Sequence, residues 1–211
     1  MKVVAFNGSP RKEGNTYHAI KIVAEVLEKK GIDVEIVHVG NKTLQGCLAC
    51  HGCARNRDEK CVTPGDEVNE WIGKMKEADG IIFGSPVHFS SIGATMKAFL
   101  DRACFVASVN ESMLRHKVAA SVVAVRRSGG VTTFEQLNNY ITYSEMVMAT
   151  SNYWNVIHGM KPGEVLQDEE GLQILRLLGE NMAWLLQLIE KGEGVVERPE
   201  KVKKTLTNFI R

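Results

Sequence analysis

No stretch of this 211-residue sequence approaches the roughly 20 consecutive apolar residues that a membrane-crossing helix needs. The opening MKVVAF runs straight into NGSP, an apolar run too short for a secretory leader and without a small-residue cleavage site, so the expected location is cytoplasmic. An excess of charge of one sign is also lacking. Charged residues make up 24% of the chain and cancel to +1, which removes the overall electrostatic case for nucleic acid, an anionic membrane or a strongly acidic partner. There is no internal repeat, low-complexity tract or Pro/Ser-rich linker to divide the chain, and its length suits one substantial domain.

Cysteine is sparse: there are five, and four of them, Cys47, Cys50, Cys53 and Cys61, fall in GCLACHGCARNRDEKC (46–61). This polar segment shows no evident strand or helix. In a reducing compartment such clustering points to metal or redox chemistry before structural disulfides. The spacing, C-x₂-C-x₂-C-x₇-C, suits a structural zinc site poorly, because those sites come as two pairs. A cubane iron-sulfur cluster suits it better, since three close thiolates can reach adjacent irons while the fourth folds back. Zinc, a free-thiol or disulfide role, and a cluster all stay open on spacing alone. His51 lies inside the motif and is read as a surface loop residue; Arg55, Arg57 and Lys60 would raise the potential of a negatively charged cluster. The fifth cysteine, Cys104, sits in a helical pattern and is read as a buried core thiol.

Apolar runs at 3–6, 34–39, 80–84 and 118–125, with a weaker one at 146–157, alternate with amphipathic stretches near 16–30, 65–78, 93–106, 131–145 and 169–191. Continuous rather than alternating apolarity fits strands covered on both faces. The expected fold is therefore α/β, a five-stranded, doubly wound parallel sheet with a helix layer on each side. Residues 1–192 form the expected domain. Residues 193–211 look separate from the alternation: over 197–211, Arg198, Lys201, Lys203, Lys204 and Arg211 outnumber Glu197 and Glu200 for a net +3, as in a solvated tail or short helix. Trp154 is expected to be buried.

Three loops follow strand ends. NGSPRKEGNT (7–16) opens the first helix and fails both the Walker A spacing and the dinucleotide fingerprint. Its residues suit one phosphate monoester, with Ser9, Asn15 and Thr16 donating and Arg11 as counter-charge beside the helix dipole. A plain turn capped by Asn15 or Thr16 is the structural alternative. GSPVHFSSIGATMKAFLDR (84–102) offers His88 and Phe89 as flanks for a planar ring at the carboxyl edge of the sheet, where ligands bind. RRSGG (126–130) exposes more backbone N–H groups at the same edge. Together the three describe a pocket for flavin mononucleotide.

On GSPRKEGNT, GSPVHFSSIGATMKAFLDR and RRSGG the chain, over residues 1 to about 190, resembles the flavodoxin-like NAD(P)H-dependent FMN reductases, in their multimeric-flavodoxin and iron-sulfur flavoprotein branch. The resemblance implies a flavodoxin-like three-layer fold. It implies that Ser9, Arg11, Asn15 and Thr16 hold the FMN phosphate, that Pro86, Val87, His88 and Phe89 border the isoalloxazine, and that Ser128, Gly129 and Gly130 contact its other edge. Many members carry Tyr where this chain has His88. The cysteine spacing resembles the compact motif of iron-sulfur flavoproteins, which implies a [4Fe-4S] cluster on Cys47, Cys50, Cys53 and Cys61; similar segments in the wider family hold none. The function so implied is an FMN oxidoreductase that takes electrons from NADH or NADPH. It passes them to a quinone, flavin or ferric acceptor, or through the cluster to a ferredoxin-type partner, and it works as a homodimer or homotetramer. No protein acid or base is required. The rival classes are a flavodoxin-type electron carrier without nicotinamide turnover, disfavoured by the near-neutral charge, and a thiol sensor without flavin.

Overall fold

A computed structural model describes residues 1–207 and 209. The first strand, β1 (Lys2–Asn7), leads through the 8–14 loop into α1 (Asn15–Lys29); β2 (Asp33–His38) follows, then a long excursion bearing the cysteines and the short helix α2 (Gly52–Asn56), then α3 (Val68–Glu77). β3 (Gly80–His88) turns back into β4 (Ser91–Ile92) before α4 (Ala94–Val109). β5 (Val118–Val125), α5 (Gly130–Tyr143), the two short strands β6 (Val147–Met148) and β7 (Val156–His158), a 3₁₀ turn at Glu164–Gln167 and α6 (Glu169–Gly192) complete the chain.

The sheet order is β2-β1-β3-β5-β6 and those pairings are parallel, with β7 also parallel to β5. Alternate residues of each strand feed different cores. Val4, Phe6, Ile81 and Phe83 face α3 and α4, while Val3, Ala5 and Ile82 face α1 and α6. Each fully buried Val, Ile or Phe is worth about 2 kcal/mol against exposure, so both faces must be covered. The continuous apolar runs follow from that, as does the doubly wound arrangement.

Four expectations are corrected. The 146–157 strand is broken into β6, opposite Val118–Ala119, and β7, opposite Val123–Val125. Its polar middle leaves the ladder because Ser151 Oγ donates to Asn155 Oδ1 and Asn155 Nδ2 to the Ser121 carbonyl. The fifth position of the sheet is thus filled by two pieces. Trp154 lies in that break and is 46% exposed, in edge contact with Tyr153 at 4.4 Å between ring centroids. β3 extends to His88 instead of ending at 84, because its last residues pair with β4. The cysteine segment, read as lacking helix, contains α2, one turn flanked by His51 and Arg57 in left-handed conformation.

Beyond α6 the chain is exposed and carries no helix over 197–207. Arg115 Nη2 donates to the Pro199 and Glu200 carbonyls, and Lys201 pairs with Glu111 at 3.0 Å. Arg211, counted in the tail's charge, lies outside the described residues.

Candidate functional site

The carboxyl ends of β1, β3 and β5 bring three loops side by side. Gly8 N donates to Gly84 O at 2.8 Å, tying the first loop to the second. Asn7 organises the turn: its side chain donates to Lys12 O at 2.9 Å and accepts from Ser9 N at 3.1 Å, and its carbonyl accepts from Val39 N and Gly40 N. Ser9 is buried and its Oγ accepts from Arg11 N. From the end of β2, His38 Nε2 donates to Ser9 O at 2.8 Å. A Cβ on Gly40 would fall 2.2 Å from that same carbonyl oxygen, so only glycine lets the chain pass here.

Gly14, not Asn15 or Thr16, holds the N-cap of α1, which corrects the capping expectation. With no side chain at that position, no side-chain cap bond closes the first turn at the positive end of the helix. Asn15 Oδ1 accepts from Gly163 N at 2.8 Å, so the loop before the 3₁₀ turn leans on the first loop. Thr16 is buried and Arg11 exposed.

In the second loop Phe89 and Ser90 both have positive φ, +50° and +58°, the geometry of a two-residue type I′ hairpin. Neither is glycine, so the turn is strained and depends on outside support. Gln136 of α5 supplies it, accepting from Ser91 Oγ and Ile92 N and donating to Ser90 O. Ser85 Oγ accepts from Gly93 N at 3.1 Å and holds the hairpin's return. Pro86 and Val87 are half-buried, while His88 and Phe89 are exposed at the tip.

The third loop meets the second at Gly129, whose φ of +86° and whose approach to Ser90, 2.7 Å from an added Cβ to Oγ, both require glycine. Gly130 is buried beneath it and Ser128 is exposed. On its outer side a cavity of about 300 Å³ is bounded by Arg127, Tyr153, Trp154 and His158. All eleven sequence-predicted flavin residues therefore lie on these three touching loops or on the ends of α1, β3 and α5 that adjoin them. His38, Gly40, Gln136 and Gly163, which brace them, were not anticipated; Gly40 lies two residues past the end of β2, and nothing local marks the carbonyl it has to clear.

Cys47 and Cys50 are exposed, Cys53 is buried in α2 and Cys61 is half-buried; all five cysteines are free thiols. The four line one small pocket with His51, Arg102 and Phe105. Among the described residues, however, no three His, Cys, Asp or Glu side chains are gathered as a metal ion requires. The thiols also differ chemically. Burial, then the neighbouring Cys61, pushes Cys53 up. Burial would push Cys61 up too, but the Thr63 amide and the Arg102 guanidinium outweigh it and bring it below the ordinary value. Cys104, fully enclosed, is pushed up to about 12 by burial, in keeping with a core thiol.

The family described as NADPH-dependent FMN reductase matches residues 1–161. An iron-sulfur flavoprotein of Methanocaldococcus jannaschii is 36% identical over 198 residues, covering 90% of this chain and 100% of that protein. Another, of Methanosarcina thermophila, is 29% identical, covering 91% and 98%. Among solved structures, RosB with a bound riboflavin-phosphate intermediate superposes with a TM-score of 0.68 at 16% identity, covering 100% of this chain and 92% of RosB. The NAD(P)H:quinone oxidoreductase of Methanothermobacter marburgensis does so at 0.61 and 18%, covering 86% and 96%. These likenesses bear on the fold, which is flavodoxin-like.

Proposed function

Because the chain belongs to the NADPH-dependent FMN reductase family, and so to flavin-dependent redox proteins, we propose that it is an oxidoreductase passing electrons from NADH or NADPH through bound FMN to a small quinone, flavin or ferric acceptor. The observation that carries this is the junction of three loops at one sheet edge beside a helix whose N-cap is glycine.

The residues fit FMN. The uncapped first turn of α1 with Ser9 and Thr16 would take the phosphate, Asn15 would donate through its Nδ2, and Arg11 would add counter-charge from solvent. Pro86, Val87, His88 and Phe89 would line the ring; the exposed Phe89 offers a flat apolar surface that water otherwise covers. Ser128, Gly129 and Gly130 would present backbone donors to its far edge. FMN, when bound, supplies hydride acceptance and electron release, and no side chain here is obliged to move a proton.

The thiols have the donor chemistry of a [4Fe-4S] site, on Cys47, Cys50, Cys53 and Cys61, with a ferredoxin-type protein as outlet. The curated relatives' description as iron-sulfur flavoproteins supports this reading. Binding a cluster would require these thiols, which line one pocket, to draw closer together. The protein would work in the cytoplasm as a homodimer or homotetramer, and none of the described helices is long and apolar enough to cross a membrane.

The test is anaerobic: the chain is titrated with FMN, then with NADH and NADPH, and flavin absorbance is followed. Saturable FMN binding and bleaching by one nucleotide are expected. Failure to bind FMN would sink the proposal, and binding without bleaching by either nucleotide would leave a flavodoxin-type carrier. Iron and acid-labile sulfide per FMN decide the cluster.

A further inference from the structure

One arginine makes no hydrogen bond to the flavin loops, yet among the described residues it is the largest fully buried side chain. Arg102 sits in the third turn of α4, 1% exposed, and all five of its N–H donors have an acceptor. Nε donates to Cys61 Sγ at 3.3 Å; Nη1 to Gln45 O at 3.2 Å and to Asp66 Oδ2 at 2.5 Å; Nη2 to Thr63 O at 3.2 Å and to Asp66 Oδ1 at 3.2 Å. Every acceptor belongs to the thiol segment or its flanks. Gln45 lies two residues before the first cysteine and Thr63 two after the last. The guanidinium thus ties together both ends of the 47–61 excursion, which has little regular structure of its own beyond α2.

A bidentate carboxylate neutralises the buried charge, and the three remaining bonds fix shape. Lysine could not do this, since its three donors radiate from a single point. Asn69 reinforces the arrangement from α3, accepting from Cys61 N at 2.7 Å and donating to Cys61 O at 2.9 Å. Cys61 is therefore held at backbone and sulfur, whereas Cys47 and Cys50 are exposed.

We propose that Arg102, paired with Asp66, is the positioning residue of the thiol site: it closes the 45–63 segment on α4 and holds the Cys61 sulfur by an N–H···S bond as the fixed ligand against which the other thiols assemble. The proposal rests on the reading that these thiols hold an iron-sulfur cluster. A hydrogen bond to a ligating sulfur raises the reduction potential of such a centre, and losing a residue that orients a ligand costs about 10–100-fold in metal affinity.

Two variants test it. Arg102→Lys keeps the charge and loses the fork; Arg102→Met with Asp66→Leu removes the pair without stranding a carboxylate. Each is assayed for FMN content, for iron and sulfide after anaerobic reconstitution, for cluster midpoint potential, and, in the metal-free chain, for amide hydrogen exchange at 58–66. The expected result is wild-type FMN content in both. Iron in the double variant should fall to a small fraction of wild type, and exchange at 58–66 should be faster in both. The cluster that Arg102→Lys does load should have a more negative potential. Wild-type exchange at 58–66 in the double variant would overturn the proposal, as would an unchanged potential in Arg102→Lys. If the wild-type chain loads no iron, the cluster reading fails, and the exchange measurement in the metal-free chain still decides whether Arg102 closes the segment.

Discussion

At the scale of single residues, two positions separate what a side chain is from what its place makes of it. Cys104 and Cys47 are chemically identical thiols, but burial pushes the first up to about 12 and leaves it without access, while the second is exposed. Because the thiolate is the reactive form, iodoacetamide at pH 8 is expected to modify Cys47 and Cys50 in the native metal-free chain and to spare Cys104 until unfolding, as read by mass mapping. Gly40 is the second case. An alanine there would meet the Ser9 carbonyl at 2.2 Å and push the first loop away from its place over β1. Gly40→Ala is expected to weaken FMN binding about tenfold or more, about 1.4 kcal/mol, by fluorescence titration. An unchanged affinity would mean that the first loop does not hold the phosphate.

Elements explain why the site is where it is. The β3–β4 hairpin keeps two non-glycine residues at positive φ because Gln136 of α5 satisfies three of its polar groups. Gln136→Ala is expected to release the hairpin, weakening FMN binding several-fold and speeding hydrogen exchange at 88–92, with little change elsewhere. On the opposite side, Glu35 of β2 joins Lys74 of α3 at 2.6 Å and Lys2 of β1 at 3.0 Å. The bond from Lys74, then that from Lys2, holds its carboxyl below the ordinary 4.5. A depressed carboxyl contributes stability that is fully present above pH 4.5 and lost as pH falls through the folded value. Glu35→Gln should therefore cost no more than about 1 kcal/mol at pH 7, since the groups are partly exposed, and the gap from wild type should close in acid, by urea unfolding.

Across the whole molecule, the strands at 3–6, 34–39, 80–84 and 118–125 and all five long helices were legible in the sequence. A strand buried on both faces has to be apolar at every position, and a helix covering it has to be apolar on one side. The break at 149–155 was not legible, because it depends on Ser151 and Asn155 finding each other and the Ser121 carbonyl. Nor was α2, five residues held by the surrounding loop. If residues 1–192 are the folding unit, a chain ending at Gly192 should bind FMN as the full chain does and unfold cooperatively at nearly the same temperature. A large drop would assign the Arg115 and Lys201 contacts of the tail a structural role.

The sequence by itself determined the layers, the parallel sheet and the three loops at its strand ends, because each is written in local periodicity and in Gly, Ser and Thr at strand ends; the strand order came from the tertiary structure. Only the tertiary structure decided what holds those loops in register. His38, Gly40, Gln136 and Gly163 act across separations of up to 148 residues, and no local pattern announces them. The cysteines divide in the same way. Their spacing is a property of the chain, but which thiol is anchored was settled by Arg102, 41 residues away on α4, through a buried fork that exists only once the two segments are packed together.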